Sequence, residues 1–157
     1  VLLVAVGVLG LAGMNASNQG LKTVYEDRTI PLMDLGTIID KINIIRLNAV
    51  VAANASNQDV VKNSVSQTQQ LDKEIETIWA KYMATTLTVE EKKLADAFAP
   101  QWKTYQESRN VTLNAAEAGD FEAAIGNAKN DAGSKYSLAH ETMFHLIELQ
   151  GAVAKKK

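Results

Sequence analysis

Few side chains in this sequence carry reactive groups at spacings that chemistry can use. The two histidines are His140 and His145. A separation of five residues sets them about 140° apart around a helix, so a single metal ion does not easily take both. A di-iron bundle needs Glu-x-x-His pairs on two helices, whereas Glu141 and His145 are four apart and stand alone. Cysteine is absent, which removes disulfides, thiolate nucleophiles and Cys-based metal sites together. No Gly-rich phosphate loop, nucleophile elbow or Ser/His/Asp arrangement occurs. These residues point away from an enzyme, and no metal or cofactor is expected.

Binding is better supported, by where charge is missing. Residues 47–58, 63–71 and 110–116 contain no charged side chain. Against that background Arg46 and Arg109 fall on apolar stripes at helical spacing. An unpaired charge there is costly, so each needs a route to solvent, a carboxylate such as Asp72 or Asp131, or an anionic ligand held by its planar fork. Trp102, Tyr105 and Arg109 are spaced three and four apart and share one helix face. Aromatic residues at this spacing also suit an ordinary core.

The elements that position these groups read as helices throughout. Aromatics make up 6% of the chain, with nine glycines and two prolines, which disfavours an all-β fold. A net charge of -2 disfavours a nucleic-acid binder. The first segment carries a stripe of Leu21, Tyr25, Arg28, Leu32, Leu35, Ile39, Ile42, Arg46, Ala49 and Ala53, with a kink expected at Pro31. A polar cluster ending at Asn57 makes a turn. The second stripe runs from Val61 through Thr68 to Tyr82, and a turn follows near Thr86. Thr88 and Glu91 form a capping box that opens a third helix through Leu94, Phe98 and Trp102 to Ala116, bent at Pro100. Gly119 stops it, and Asp120 caps a fourth helix expected to run unbroken through Phe121, Ile125, Ala128, Ala139 and Val153. Gly126 and Gly133 on that helix would let a neighbouring backbone approach.

The expected fold is all-α, an up-down-up-down antiparallel four-helix bundle with an extended first helix. The turns at Asn57 and Gly119 share one tip, and the Thr86 turn and both termini share the base. In that frame Arg46, Thr68, Arg109, Tyr105, Trp102 and Tyr136 lie in one slab about 15–25 Å below the tip. They form the candidate ligand site: an arginine anchor, hydroxyl donors and an apolar wall. Residues 1–14 are wholly apolar, and a membrane span needs about 20 such residues. They are read as the end of a truncated first transmembrane segment. The three lysines at 155–157 fit either a juxtamembrane basic cluster or an added tail.

Several phrases carry a resemblance: Val24-Tyr25-Glu26-Asp27-Arg28 with Pro31-Leu32, Ile78-Trp79-Ala80-Lys81-Tyr82, Leu87-Thr88-Val89-Glu90-Glu91-Lys92, Ala118-Gly119-Asp120 and Leu146-Ile147-Glu148-Leu149-Gln150. In this order and spacing the chain resembles the periplasmic four-helix-bundle sensor domain of bacterial methyl-accepting chemotaxis receptors, over residues 15–157. The resemblance implies a homodimeric receptor in the inner membrane with this domain in the periplasm. It also implies a small organic acid or amino acid as ligand and a signal carried by the fourth helix. Arg46 is similar in placement to the ligand-contacting arginines of the aspartate receptor, but the close spacing of several such arginines is absent. Pairing is expected through helix one, whose charge-free distal half shows Ala, Val and Asn in place of a solvated face. The same bundle would also serve as the sensor of a histidine kinase or cyclase, or as a partner-binding bundle without a small ligand.

Overall fold

The computed structural model describes residues 29–154, together with Met14, Ser17 and Asn18. Helix α1 spans Ile30–Ala53, α2 Gln58–Met83 and α3 Val89–Glu117. The fourth helix comes in two pieces, α4 at Phe121–Lys129 and α5 at Asp131–Ala154. Among the described residues no strand occurs, and the fold is a four-helix bundle.

Local chemistry sets each turn. The Asn57 side chain accepts from the backbone N–H groups of Asp59 and Val60 at 3.1 Å each and so caps α2. At the start of α3, Thr88 Oγ1 accepts from the Glu91 N–H at 3.2 Å, and the Glu91 carboxylate accepts from the Thr88 N–H at 2.6 Å. At the end of α3 the Gly119 N–H reaches the Ala116 carbonyl and the Asp120 N–H reaches that of Ala115. This is a Schellman closure, with Gly119 at a φ of 80° that side-chain-bearing residues resist. Asp120 then caps α4 through the Ala123 N–H.

In the bundle α1 packs on α2 and on the fourth helix, and α3 packs on the fourth helix. The adjacent pair α2 and α3 is the least closely packed. Lys41–Glu74 and Lys81–Asp34 ion pairs stitch α1 to α2. The core divides in two. Towards the base lie Leu35, Ile38, Ile42, Ile45, Phe98 and Met143 with their neighbours, and towards the tip lies a set made mostly of alanines.

Several expectations need correction. The fourth helix is interrupted at Asn130, whose ψ of -82° leaves the helical basin where the chain passes the polar groups of α1 and α3. The inward stripe of α1 runs through Leu35, Ile38, Ile42, Ile45, Ala49 and Ala52, so Leu32, Ile39 and Arg46 flank it half-buried. Ile125 faces solvent at 42% exposure. A methyl group at Gly126 would meet nothing within 4 Å, so only Gly133 sits at a close approach. Pro31 stands at the second position of α1 as described, after Thr29 in a helical backbone conformation. The stripe residues Leu21, Tyr25 and Arg28, the lysines at 155–157 and all of the 1–14 run except Met14 lie outside the described residues.

Candidate functional site

Between the two apolar clusters the bundle carries a layer of polar side chains from every helix. On its α2 side, Arg109 is 2% exposed. Its Nη1 and Nη2 donate to the two oxygens of Asp72 at 3.0 and 2.9 Å, a forked pairing of planar groups. Nε and Nη2 also donate to the Asn110 side chain at 3.2 and 2.9 Å. Gln106 donates to the same Asp72 oxygen at 3.1 Å. The alternatives left open for Arg109 thus resolve to the carboxylate, and Arg109 ties α3 to α2.

On the fourth-helix side, Ser108 pairs with Asp131. Asn127 donates to the Ser108 carbonyl and to Thr112 Oγ1, each at 2.8 Å. Lys135, and then Ser108, hold the Asp131 carboxyl below its ordinary value. Asp131 therefore serves neither arginine. These contacts fasten α3 to the fourth helix on both sides of the Asn130 break.

Arg46 is placed differently. Its guanidinium lies over the Tyr136 ring at 5.6 Å, a cation–π contact. Nη2 stands 3.4 Å from where a Gly133 Cβ would be, so the absent side chain at Gly133 makes room for it. Nη1 is buried with no hydrogen-bond partner, and no carboxylate among the described residues pairs with Arg46. The Tyr136 hydroxyl donates to Asn43 at 2.7 Å. Tyr105 packs its ring 5.7 Å from that of Tyr136, and burial pushes its phenol up to about 12 against the opposing pull of Arg109 and Arg46. The Tyr105 hydroxyl, Thr68 Oγ1 and Asn48 Nδ2 are likewise buried without hydrogen-bond partners among the described residues. Unpaired buried polar groups of this kind are uncommon and invite a bound molecule.

The structure thus sorts the six sequence-selected residues into three groups. Arg46 and Tyr136 meet at the α1–α5 contact, with Tyr105 beside them. Thr68 lines a polar groove with Arg109 and Asp72. Trp102 faces a separate cleft between α2 and α3. Asn43, Asn48, Ser108 and Asn127 were missed. The signal that marks Asn48 and Ser108 is a small polar residue at a buried position of an apolar stripe. The His140 ring lies 5.4 Å from that of Tyr136, tilted by 38°, and His145 is exposed. Among the described residues no group of three side chains is placed to hold a metal ion.

A family model described as a four helix bundle sensory module for signal transduction matches residues 1–157. The chain is similar to the methyl-accepting chemotaxis protein NahY of Pseudomonas putida, with 23% identity over 153 residues. That match covers 98% of this chain, which spans 28% of the relative's length. No solved structure matches the chain.

Proposed function

The chain belongs to the four-helix-bundle sensory modules for signal transduction of chemotaxis receptors, and from that premise we propose that it binds a small organic acid or amino acid in its polar layer. The observation that carries this reading is Arg46, a half-buried cation with one buried N–H unpaired and no carboxylate beside it. A ligand carboxylate supplies both the missing charge and the missing acceptor. Tyr105 offers an unpartnered hydroxyl beside Tyr136, Thr68 offers another in the groove around Arg109, and Tyr136 backs the guanidinium. Arg109, held by Asp72, positions the layer and takes a ligand only by exchanging that partner.

Signal transfer follows from the same contacts. Arg46 touches α5 through Tyr136, and α5 continues to the base of the bundle at Ala154. A carboxylate that draws the guanidinium towards itself also moves Tyr136, and with it α5. The proposed setting is the periplasmic face of an inner membrane, and the wholly apolar run at residues 1–14 supports it. No helix among the described residues is long and apolar enough to cross a membrane.

The proposed assembly is a homodimer through α1. Its exposed residues Thr37, Asp40, Ile44, Leu47 and Val51 alternate steps of three and four. Ile44, Leu47 and Val51 are 44%, 59% and 39% exposed, far more than apolar side chains at such a seam would be when paired. The β-branched Thr37, Ile44 and Val51 share one heptad position, and Leu47 holds the other between Ile44 and Val51. In sedimentation, Leu47→Glu should give only monomer at concentrations where the parent chain pairs. A parent chain that stays monomeric at high concentration removes the dimer from the proposal.

The ligand test is a thermal-shift screen of organic acids and amino acids, then calorimetry on Arg46→Ala with each acid that raises the melting temperature. A charged hydrogen bond contributes about 1.5–3 kcal/mol, so the variant should bind at least about tenfold more weakly. A folded Arg46→Ala that keeps parental affinity overturns the assignment.

A further inference from the structure

The bundle is assembled from two hairpins, each laced within itself. Lys41–Glu74 and Lys81–Asp34 tie α1 to α2, and Ser108, Thr112 and Asn127 tie α3 to the fourth helix. Between the hairpins, α1 packs on the fourth helix, where Tyr136 donates to Asn43, while α2 stands off from α3. Midway along that looser seam Asp72 accepts from both terminal nitrogens of Arg109 and from Gln106. A polar groove of about 240 Å³ lies on the tip side of this contact, and a cleft of about 380 Å³ on its base side. Asp72 lines both, so the contact is a strut between two spaces. With Phe98 1% and Trp102 8% exposed, the interior behind the cleft is closed in this form. Also behind the strut are the buried hydroxyls of Thr68 and Tyr105, neither with a hydrogen-bond partner among the described residues.

We propose that the Asp72 contact is a latch, and that when it opens the two hairpins part along the α2–α3 seam while the α1–α5 contact stays shut. Groove and cleft then join into one passage that leads to the Thr68 and Tyr105 hydroxyls. Two features select this seam. Its central polar tie is gathered on one side chain that water already reaches, since Asp72 is 21% exposed. Parting α2 from α3 also uncovers the least packed surface of any adjacent pair, and local opening follows the weakest packing. The widened groove brings water to Arg109 as its carboxylate leaves, so the opened form does not strand a buried charge. The latch is the route by which a small molecule reaches the polar layer; it rests on that reading for this use alone, and its test needs no ligand of that layer.

Trp102 lies behind the latch and Trp79 is the other of the chain's two tryptophans, so Trp79→Phe leaves an emission that reports on the seam. In that background acrylamide, a small neutral quencher, measures how often the seam admits a molecule. Asp72→Asn keeps the side chain's size and removes its charge and one acceptor, and should raise the quenching constant at least about threefold. Lys81→Ala, which removes an ion pair inside the first hairpin, and Thr88→Ala, which weakens the cap of α3, should leave it unchanged. The chain has no cysteine, so spin labels can be placed in pairs. Labels at Lys73→Cys and Lys103→Cys, exposed positions on the two sides of the cleft, are measured with the labelled chain diluted in unlabelled chain. They should show a second, longer separation already in the parent, and Asp72→Asn should make it the major one. Labels at Thr104→Cys and Leu138→Cys, within the second hairpin, should keep one separation in both backgrounds. A single Lys73–Lys103 separation in the parent overturns the latch, as does quenching that Asp72→Asn leaves unchanged. So does an equal rise in Lys81→Ala and Thr88→Ala, which marks general loosening. If the seam opens as described and a folded Arg46→Ala keeps parental affinity for acids, the latch stands and the polar-layer reading falls.

Discussion

Removing the Asp72 carboxylate strands a guanidinium that is 2% exposed. In Asp72→Ala, Arg109 loses acceptors at 3.0 and 2.9 Å and keeps only the Asn110 oxygen. Breaking a buried pair by deleting one partner costs about 3–5 kcal/mol. The Asp72 side chain is itself 21% exposed, so water reaches the vacated space and the lower end applies, about 3 kcal/mol. For a chain of this size each kcal/mol shifts the melting temperature by roughly 2–4 °C, which predicts a drop of about 6–12 °C. Thermal and urea melts followed by circular dichroism measure it. The companion variant Asp72→Leu with Arg109→Met removes both charges and should recover to within about 1 kcal/mol of the parent, because no charge is left unpaired. If Asp72→Ala melts like the parent, Arg109 is not held by this carboxylate and returns as a candidate ligand anchor. If the double variant is as unstable as the single one, lost packing and not the stranded charge is the cause.

Other outcomes follow from single contacts. Thr88→Ala deletes the acceptor for the Glu91 N–H and should cost about 1 kcal/mol in a urea melt. Gly126→Ala, in open helical space, should stabilise by about 0.5–1 kcal/mol, whereas Gly119→Ala at φ 80° should destabilise by at least as much. Tyr105→Phe removes a buried hydroxyl without a partner and should be neutral or stabilising near pH 7. The phenol rises from 10.0 to about 12 in the fold, so its contribution is complete below pH 10 and lost as pH climbs through that interval. The parent should therefore lose more stability than Tyr105→Phe between about pH 10 and pH 12, and parallel slopes would contradict this.

What the sequence made legible is the chemistry that acts within a few residues. Asn57, the Thr88–Glu91 pair and Gly119–Asp120 satisfy backbone groups within one turn of themselves, so their turns were readable without any tertiary contact. Asp72 was readable as a partner because its register on α2 matches that of Arg109 on α3. The interruption at Asn130 was not, since Lys129-Asn130-Asp131 contains neither Gly nor Pro and the fourth-helix contacts to Ser108 and Thr112 come from another helix. The rotation of the α1 stripe by one position escaped for a related reason. Ile38 and Ile39 offer adjacent apolar registers, and only the neighbouring helices choose between them. The cleft between α2 and α3 depends on how far apart the two helices stand, a distance that periodicity does not encode.

The division of the core also sets how the molecule breathes. Above the polar layer the interior is Ala49, Ala52, Ala53, Ala116, Ala124 and Ala128 with Val61 and Leu113, and each alanine hides roughly one methyl group, ~0.8 kcal/mol. Below it, each buried isoleucine or phenylalanine contributes about 1.5–3 kcal/mol. Amide hydrogens at Ala52 and Ala124 should therefore exchange with solvent through local openings of lower free energy than those at Ile38, Phe98 and Met143. The tip loosens in transient excursions of its own, and the hydrogen bonds of the polar layer mark where those excursions stop.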